Sequence, residues 1–255
     1  MKHRDILGRF IDGEYGKKTQ FKKGNIPWNK GKTGVYSEEL LKQWSNSHTI
    51  KEKFSVEKTE RFGELIGHVL GDGGHNKSGT SIYYTNNEFS LIERFCFLVR
   101  DIYMIRRVYH KTQGNCHVII ISKKKLFNTV KDFLNLENFS EEMKVGFVRA
   151  IFDDEGSIVL RKHGGQQIYF GMTDNSIIEF VKSIINSKGI KCGKTGIRDP
   201  KKVKQRFIGD IKIKTLKPLY YFYICRREDV IKFYETFKPK HPKKVLRFKE
   251  VMSWR

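Results

Sequence analysis

The sequence predicts an α+β protein made of two related halves behind a basic arm, and three observations predict it. Strand–turn–helix patterns recur: TNNEFSLIERF near Thr85 overlays TDNSIIEFV near Thr173 with a two-residue gap, and IISKK near Ile121 overlays YICRR near Ile224. Two apolar helical stretches, LIGHVLGDG (65–73) and VRAIFDDEG (148–156), each stop at an acid followed by glycine. Residues 1–58 lack this periodicity and are rich in Gly and Lys. The expected divisions are a basic N-terminal arm over 1–58, a first half over 59–138 and a second over 139–255.

Each element has a local reason. TERFGELIGHVLG sets Phe62, Leu65, Ile66, Val69 and Leu70 at helical spacing behind Thr59, a cap residue. SIYYTNN reads as a strand, SLIERFCFLVRDIYM (90–104) as an amphipathic helix and CHVIIIS (116–122) as a buried strand. KKLFNTVKDFL from Lys124 is helical. The pattern then returns with a capped helix in SEEMKVGFVRAIFDDEGSI (140–158), strand–turn–helix over 168–190, and strand–helix in FYICRREDVIKFYETF (222–237). A basic insertion, 191–214, lengthens the second half. The alternating residues Tyr83, Tyr84, Tyr169 and Phe170 divide between core and surface in a way the strand pattern does not resolve. His68, inside the first helix, reads as packed or satisfied.

Charge narrows the class. Lys and Arg number 50 against 28 Asp and Glu, a formal charge of +22, which points to a polyanionic partner, nucleic acid above all. Cys96, Cys116, Cys192 and Cys225 form no CxxC pair, so neither a zinc site nor a disulfide framework is expected. MKHRDILGRF lacks the apolar stretch of a secretory signal, and no apolar run approaches the ~20 residues that span a bilayer. An intracellular protein without a membrane partner is expected. Between Lys17 and Thr33 stand six lysines, no acid, and the aromatics Phe21 and Trp28. That composition suits an extended segment tracking a phosphate backbone, with Lys22, Lys23, Trp28, Asn29, Lys30 and Lys32 as candidate contacts. SEELLKQW from Ser37 reads as a short capped helix. Arg161, Lys124 and the insertion residues Lys201, Lys202 and Lys204 are further candidate DNA contacts.

The two acid–glycine ends carry the chemistry. Gly63, Gly67 and Gly71 in one helix, and Gly146 and Ala150 in the other, recur every four residues and so share a face. Two such helices can approach until their backbones nearly touch. Packed in parallel, they deliver Asp72 and Glu155 to one place. Two carboxylates beside two helix C-termini make a negative pocket suited to a hard divalent cation. A small acidic pocket in a basic protein is the layout of a metal-dependent nuclease.

These helices resemble the two motifs of single-chain LAGLIDADG homing endonucleases. LIGHVLGDG agrees with the family motif at Leu65, Gly67, Asp72 and Gly73; VRAIFDDEG agrees at Asp153 and Gly156, with Glu155 in the catalytic acid slot. Leu70 departs from the motif where the second helix has Asp153, a position with a capping or structural role. The resemblance covers 59 to about 250. It implies two pseudo-symmetric αββαββα halves forming a saddle over DNA. It also implies Asp72 and Glu155 as metal-binding catalytic acids, and the carbonyls of Gly71 and Asp154 as further ligands. The ion is expected to be Mg²⁺, with Mn²⁺ as a substitute. A basic residue beside each active site is implied too, from Lys123, Lys124 or Lys125 and from Arg226 or Arg227. The Ile121–Ile224 overlay pairs Lys124 with Arg227, whereas a shifted register favours Lys125. GNIPWNKGKTGVYSEE is similar to a small modular DNA-binding motif found beside homing nucleases.

The activity this implies is site-specific cleavage of a long, asymmetric double-stranded DNA target by a monomer. Two rivals use the same fold: an intron RNA maturase and a non-cleaving DNA-binding regulator. Met1 in place of Cys or Ser, and a C-terminal SWR without His-Asn, are the features expected of an enzyme not embedded in an intein.

Overall fold

Thr59 opens the first helix with its side chain: the hydroxyl accepts the Phe62 amide N–H at 3.3 Å, satisfying one of the donors that a helix start leaves free. The structure, a computed structural model, describes residues 37–39, 57–105, 108–133, 136–160, 165–199, 206–208, 211–213 and 217–253. The chain divides into two units, 1–56 and 57–255. Of the first unit only 37–39 are described, with Glu38 and Glu39 helical. The candidate contacts Lys22, Lys23, Trp28, Asn29, Lys30, Lys32, Arg161, Lys201, Lys202 and Lys204 lie outside the described residues, as does the Lys125 side chain.

From Glu60 the chain runs α1 (Glu60–Leu70), β1 (Gly73–His75), β2 (Ile82–Asn86), α2 (Phe89–Tyr103), β3 (Tyr109–Gln113), β4 (Cys116–Ile121) and α3 (Lys124–Asp132). The same order then repeats: α4 (Glu141–Glu155), β5 (Gly156–Leu160), β6 (Gln166–Met172), α5 (Asn175–Ser187), β7 (Gly196–Arg198), β10 (Leu219–Ile224) and α6 (Arg227–Phe237). Between β7 and β10 the insertion adds a hairpin, β8 (Arg206–Ile208) and β9 (Ile211–Ile213), and a last helix, α7 (Pro242–Ser253), follows α6. The two main sheets are antiparallel throughout and share one topology, β1-β2-β4-β3 and β5-β6-β10-β7. Each half is therefore αββαββα. Helix α3 begins three residues beyond Ile121 and α6 three beyond Ile224, which agrees with the overlay of those positions.

Some short strands had no legible signal. β3 reads YHKTQ and is largely exposed, so it lacks apolar alternation; β1 and β7 have three residues each. Elsewhere the period of two sorts the faces. Ile82, Tyr84, Ile119, Ile121, Ile158, Ile168, Phe170, Phe222 and Ile224 point to the helices and are buried. Tyr83, Tyr109, Tyr169, Tyr221 and Tyr223 stand on the opposite faces. The undivided set of the sequence reading is thereby resolved: Tyr84 and Phe170 are core, Tyr83 and Tyr169 surface.

The halves meet along α1 and α4. A Cβ on Gly63 would clash with the Met143 carbonyl, and one on Gly146 with the Glu60 carbonyl. One on Gly67 would lie 2.6 Å from the Ala150 methyl. Gly63 and Gly146 are equivalent motif positions, and each meets the residue equivalent to the other's partner. That reciprocity is a pseudo-twofold axis, with the helices parallel. Buried charge flanks the seam. Glu64 pairs with Arg94 through two 2.7 Å hydrogen bonds and with Arg149 at 3.0 Å; Arg149 also binds Glu60 and the Phe237 carbonyl. Burial raises the Glu64 pKa, but Arg94 and then His68 and Arg149 outweigh it and hold the carboxyl low. Edge-to-face rings running Phe62–Phe133–Phe139–Phe147–Phe180 carry apolar contact from α1 to α5.

Candidate metal centre

Parallel packing at glycine distance brings the C-terminal ends of α1 and α4 together. Asp72 follows Gly71, the cap residue of α1, whose N–H returns to the Gly67 carbonyl at 2.8 Å. Glu155 is the last residue of α4, and Gly156 then starts β5. Gly71 and Asp154 are equivalent positions on the axis, and only one side chain fits there. A Cβ on Gly71 would lie 2.6 Å from Asp154 Oδ2. The Asp154 carboxylate takes that space and is fully buried. It accepts the Tyr84 hydroxyl at 2.7 Å, the Asp72 amide at 3.3 Å and a hydrogen bond from His68 Nδ1 at 3.1 Å. Burial opposes the charged imidazole, but Asp154 overcomes it and raises the His68 pKa. Asn86 donates to Asp72 Oδ2 at 2.9 Å.

Asp153, the other acid of the second motif, serves the fold. Its carboxylate accepts the backbone N–H groups of Lys240 and His241 at 2.9 and 3.0 Å, anchoring the turn into α7. Burial lifts its pKa to about 6 against those amides.

Ionisation of the acid pair is opposed by burial and by neighbouring carboxylates. Burial, then the charges of Asp154 and Glu155, raise Asp72 to about 7; burial and then Asp154 raise Glu155. Among the described residues no group of three or more His, Cys, Asp or Glu is arranged to hold a metal ion. The donors on offer are two carboxylates and the backbone oxygens of two helix ends. An all-oxygen set with excess negative charge fits a hard divalent cation that keeps several waters. Gly71 and Asp154 stand in the last turns whose carbonyls were expected to contribute.

Of the expected basic partners, the Lys125 side chain lies outside the described residues, and the described ones are exposed or make other contacts. Lys124 is exposed at the start of α3. Arg226 pairs with Glu228 and Asp229 on its own turn, and Arg227 donates to the Val251 carbonyl of α7 at 3.4 Å. Among the described residues Lys244 of α7, which no motif marked, lies close enough for its charge to lower both Asp72 and Glu155. The one clue to its helix is PKKVLRFK behind Pro242 at a helix start.

The pKa of Asp72 has a testable consequence. Its ordinary value is 3.8, so between 3.8 and about 7 the folded chain binds protons that the unfolded chain has released. Stability is then greatest while Asp72 is protonated and falls as pH rises through that window. Urea unfolding of the metal-free protein at pH about 5 and about 8 should show this loss, and Asp72→Asn should reduce it. An unchanged pH slope in the variant would refute it.

A family model described as LAGLIDADG-like domain matches residues 142–238, from the second central helix through α6. Solved structures extend the likeness in fold to both halves. A mesophilic variant of the homing endonuclease I-DmoI aligns with TM-score 0.54 and 16% identity over 74% of this chain and 97% of that one. I-DmoI in complex with DNA and Mn aligns at 0.53 and 16%, over 72% and 99%. Full-length DUF199/WhiA from Thermatoga maritima aligns at 0.51 and 14%, over 77% and 61%. At these identities the likeness establishes the LAGLIDADG fold. A curated relative, glutamine–fructose-6-phosphate aminotransferase [isomerizing] of Methanocaldococcus jannaschii, is 23% identical over 171 residues. That match spans 62% of this chain but 15% of the aminotransferase. Among the described residues no helix is long and apolar enough to cross a membrane.

Proposed function

We propose that this protein is a divalent-metal-dependent, site-specific double-strand DNA endonuclease, acting as a monomer with one active site per half. The observation that supports the reading is the acid pair: Asp72 and Glu155 follow the apposed ends of two glycine-packed helices, close enough for the charge of Glu155 to raise Asp72, in a protein of charge +22. A bound Mg²⁺, or Mn²⁺ in its place, supplies water activation and charge stabilisation at the scissile phosphate. Asp72 and Glu155 would hold that ion, with the Gly71 and Asp154 carbonyls as further candidate ligands. Asn86 and the buried Asp154 carboxylate fix the Asp72 side chain and amide, so the acid does not reorganise during reaction.

The helix-free sheet faces, with Tyr83, Tyr109, Tyr169, Tyr221 and Tyr223, read base edges in the major groove. Arg198 stacks over Tyr221 at 5.7 Å and adds positive charge to the second face. Lys124 and the lysines of the arm and insertion contact phosphates. Because the two faces differ, the target is asymmetric. The solved complexes of I-DmoI with DNA and Mn support both partner and ion. A second reading, DNA binding without cleavage, would use the same fold; the presence of both acids weighs against it.

The test is selection from random duplex DNA in Mg²⁺ beside a Ca²⁺ control. One long, asymmetric site cut in Mg²⁺ is the expected result. Enrichment by binding alone would favour the non-cleaving reading. Neither cutting nor enrichment would overturn both, and intron RNA would be the ligand to try next.

A further inference from the structure

We infer that Lys244, carried by the C-terminal helix α7, is a positioning residue of the acid pair: a tethered cation that caps α4 and limits how tightly the pocket takes a divalent ion. The inference rests on the metal-binding reading above and adds a residue that the motif does not contain.

The ammonium of Lys244 donates to the carbonyls of Phe152 and Asp153, each at 2.7 Å. These belong to the last turn of α4, whose carbonyls lack helical partners and form the negative end of its dipole. An ammonium has three protons; two go to carbonyls and one remains for the acid side. There the charges of Asp153, Asp154, Asp72 and Glu155 all act on it. The lysine stem passes the Phe152 ring, with Nζ 5.2 Å from its centroid.

This lysine is not a wandering surface charge. The turn before it is pinned by Asp153 accepting the Lys240 and His241 amides. The helix after it is held by Arg247 donating to the Ile158 carbonyl at 2.6 Å and by buried Phe248 and Val251. These attachments fix one ammonium beside the acids. The device also breaks the pseudo-symmetry. α7 follows the second half, whereas α3 of the first half leads through a short 3₁₀ turn at Leu136–Asn138 directly into α4. The end of α4 therefore has an ammonium on its carbonyls, whereas the basic residue in the last turn of α1 is His68, whose ring pairs with Asp154 instead.

A resident positive charge holds mutually repelling carboxylates together without metal, and it opposes a second cation at the same place. Calcium titration calorimetry on the full chain tests this, with Lys244→Gln, Lys244→Met and Lys244→Arg alongside the unmodified protein and urea unfolding to score the fold. Gln keeps an N–H donor for the α4 carbonyls without the charge, Met removes both, and Arg keeps both. Gln and Met are expected to bind Ca²⁺ about tenfold tighter, with Arg near the unmodified protein, as removal of one nearby charge predicts. Both neutral variants should be less stable without Ca²⁺ and regain stability at saturating Ca²⁺. Unchanged Ca²⁺ affinity in a folded Gln variant would overturn the inference and leave Lys244 a helix cap. If no folded protein of the set, the unmodified one included, bound Ca²⁺, the metal-binding reading would fall with it. That result is distinguishable because it does not depend on the substitution.

Discussion

Asp72→Asn is expected to leave the fold intact and to turn a double-strand cut into a nick. The amide keeps an oxygen for the Asn86 donor, which now meets Asp72 Oδ2 at 2.9 Å, and the backbone N–H to Asp154 is untouched. What is lost is one of the negative charges that the pocket offers a cation. Metal-ion stabilisation of a phosphoryl transition state is worth several kcal/mol, so the affected strand should be cut about a thousandfold more slowly. A supercoiled plasmid carrying the selected target should accumulate as nicked circles, with end-labelling assigning the surviving cut to one strand. Glu155→Gln should spare the other strand. Linearisation at the unmodified rate by either variant would sink the assignment of these acids.

Gly146→Val should do the reverse, attacking the fold rather than the chemistry. Any Cβ at that position meets the Glu60 carbonyl and stands 2.8 Å from the Glu64 amide nitrogen. Both obstacles are backbone within α1, so neither can swing aside as a side-chain tip would. The helices must part, which pulls Gly63 from Met143 and strains the buried Glu64–Arg149 pair. Overpacking in a core usually costs about 1–3 kcal/mol. A clash with rigid backbone at the seam between halves should exceed that, at about 4 kcal/mol or more. Ala150→Gly, on the same face but relieving rather than adding bulk, should cost only about 1 kcal/mol of helix propensity. Urea unfolding followed by circular dichroism compares the two. If Gly146→Val were as mild as Ala150→Gly, the close approach of α1 and α4 would be wrong.

The sequence by itself determined what is local or periodic. Thr59 and Ser140 cap their helices with side-chain oxygens, as residues of that type do wherever an apolar helical repeat follows. The small residues every fourth position dictated a tight helix pair because one absent Cβ per turn is visible in one dimension. The duplication fixed the two-half plan, since matching patterns must fold alike. Only the tertiary structure decided which side chains share the pocket. Asp154 looks like one more acid in DDEG, and its place on the axis exists because Gly71 of the other helix leaves room there. Tyr84 and His68 close on Asp154 across 70 and 86 residues of chain. Lys244 reaches the end of α4 from 92 residues away, through a helix whose own pattern announces nothing about its target. Contacts of that separation arise from how helices and sheets pack in space, and no period along the chain encodes them.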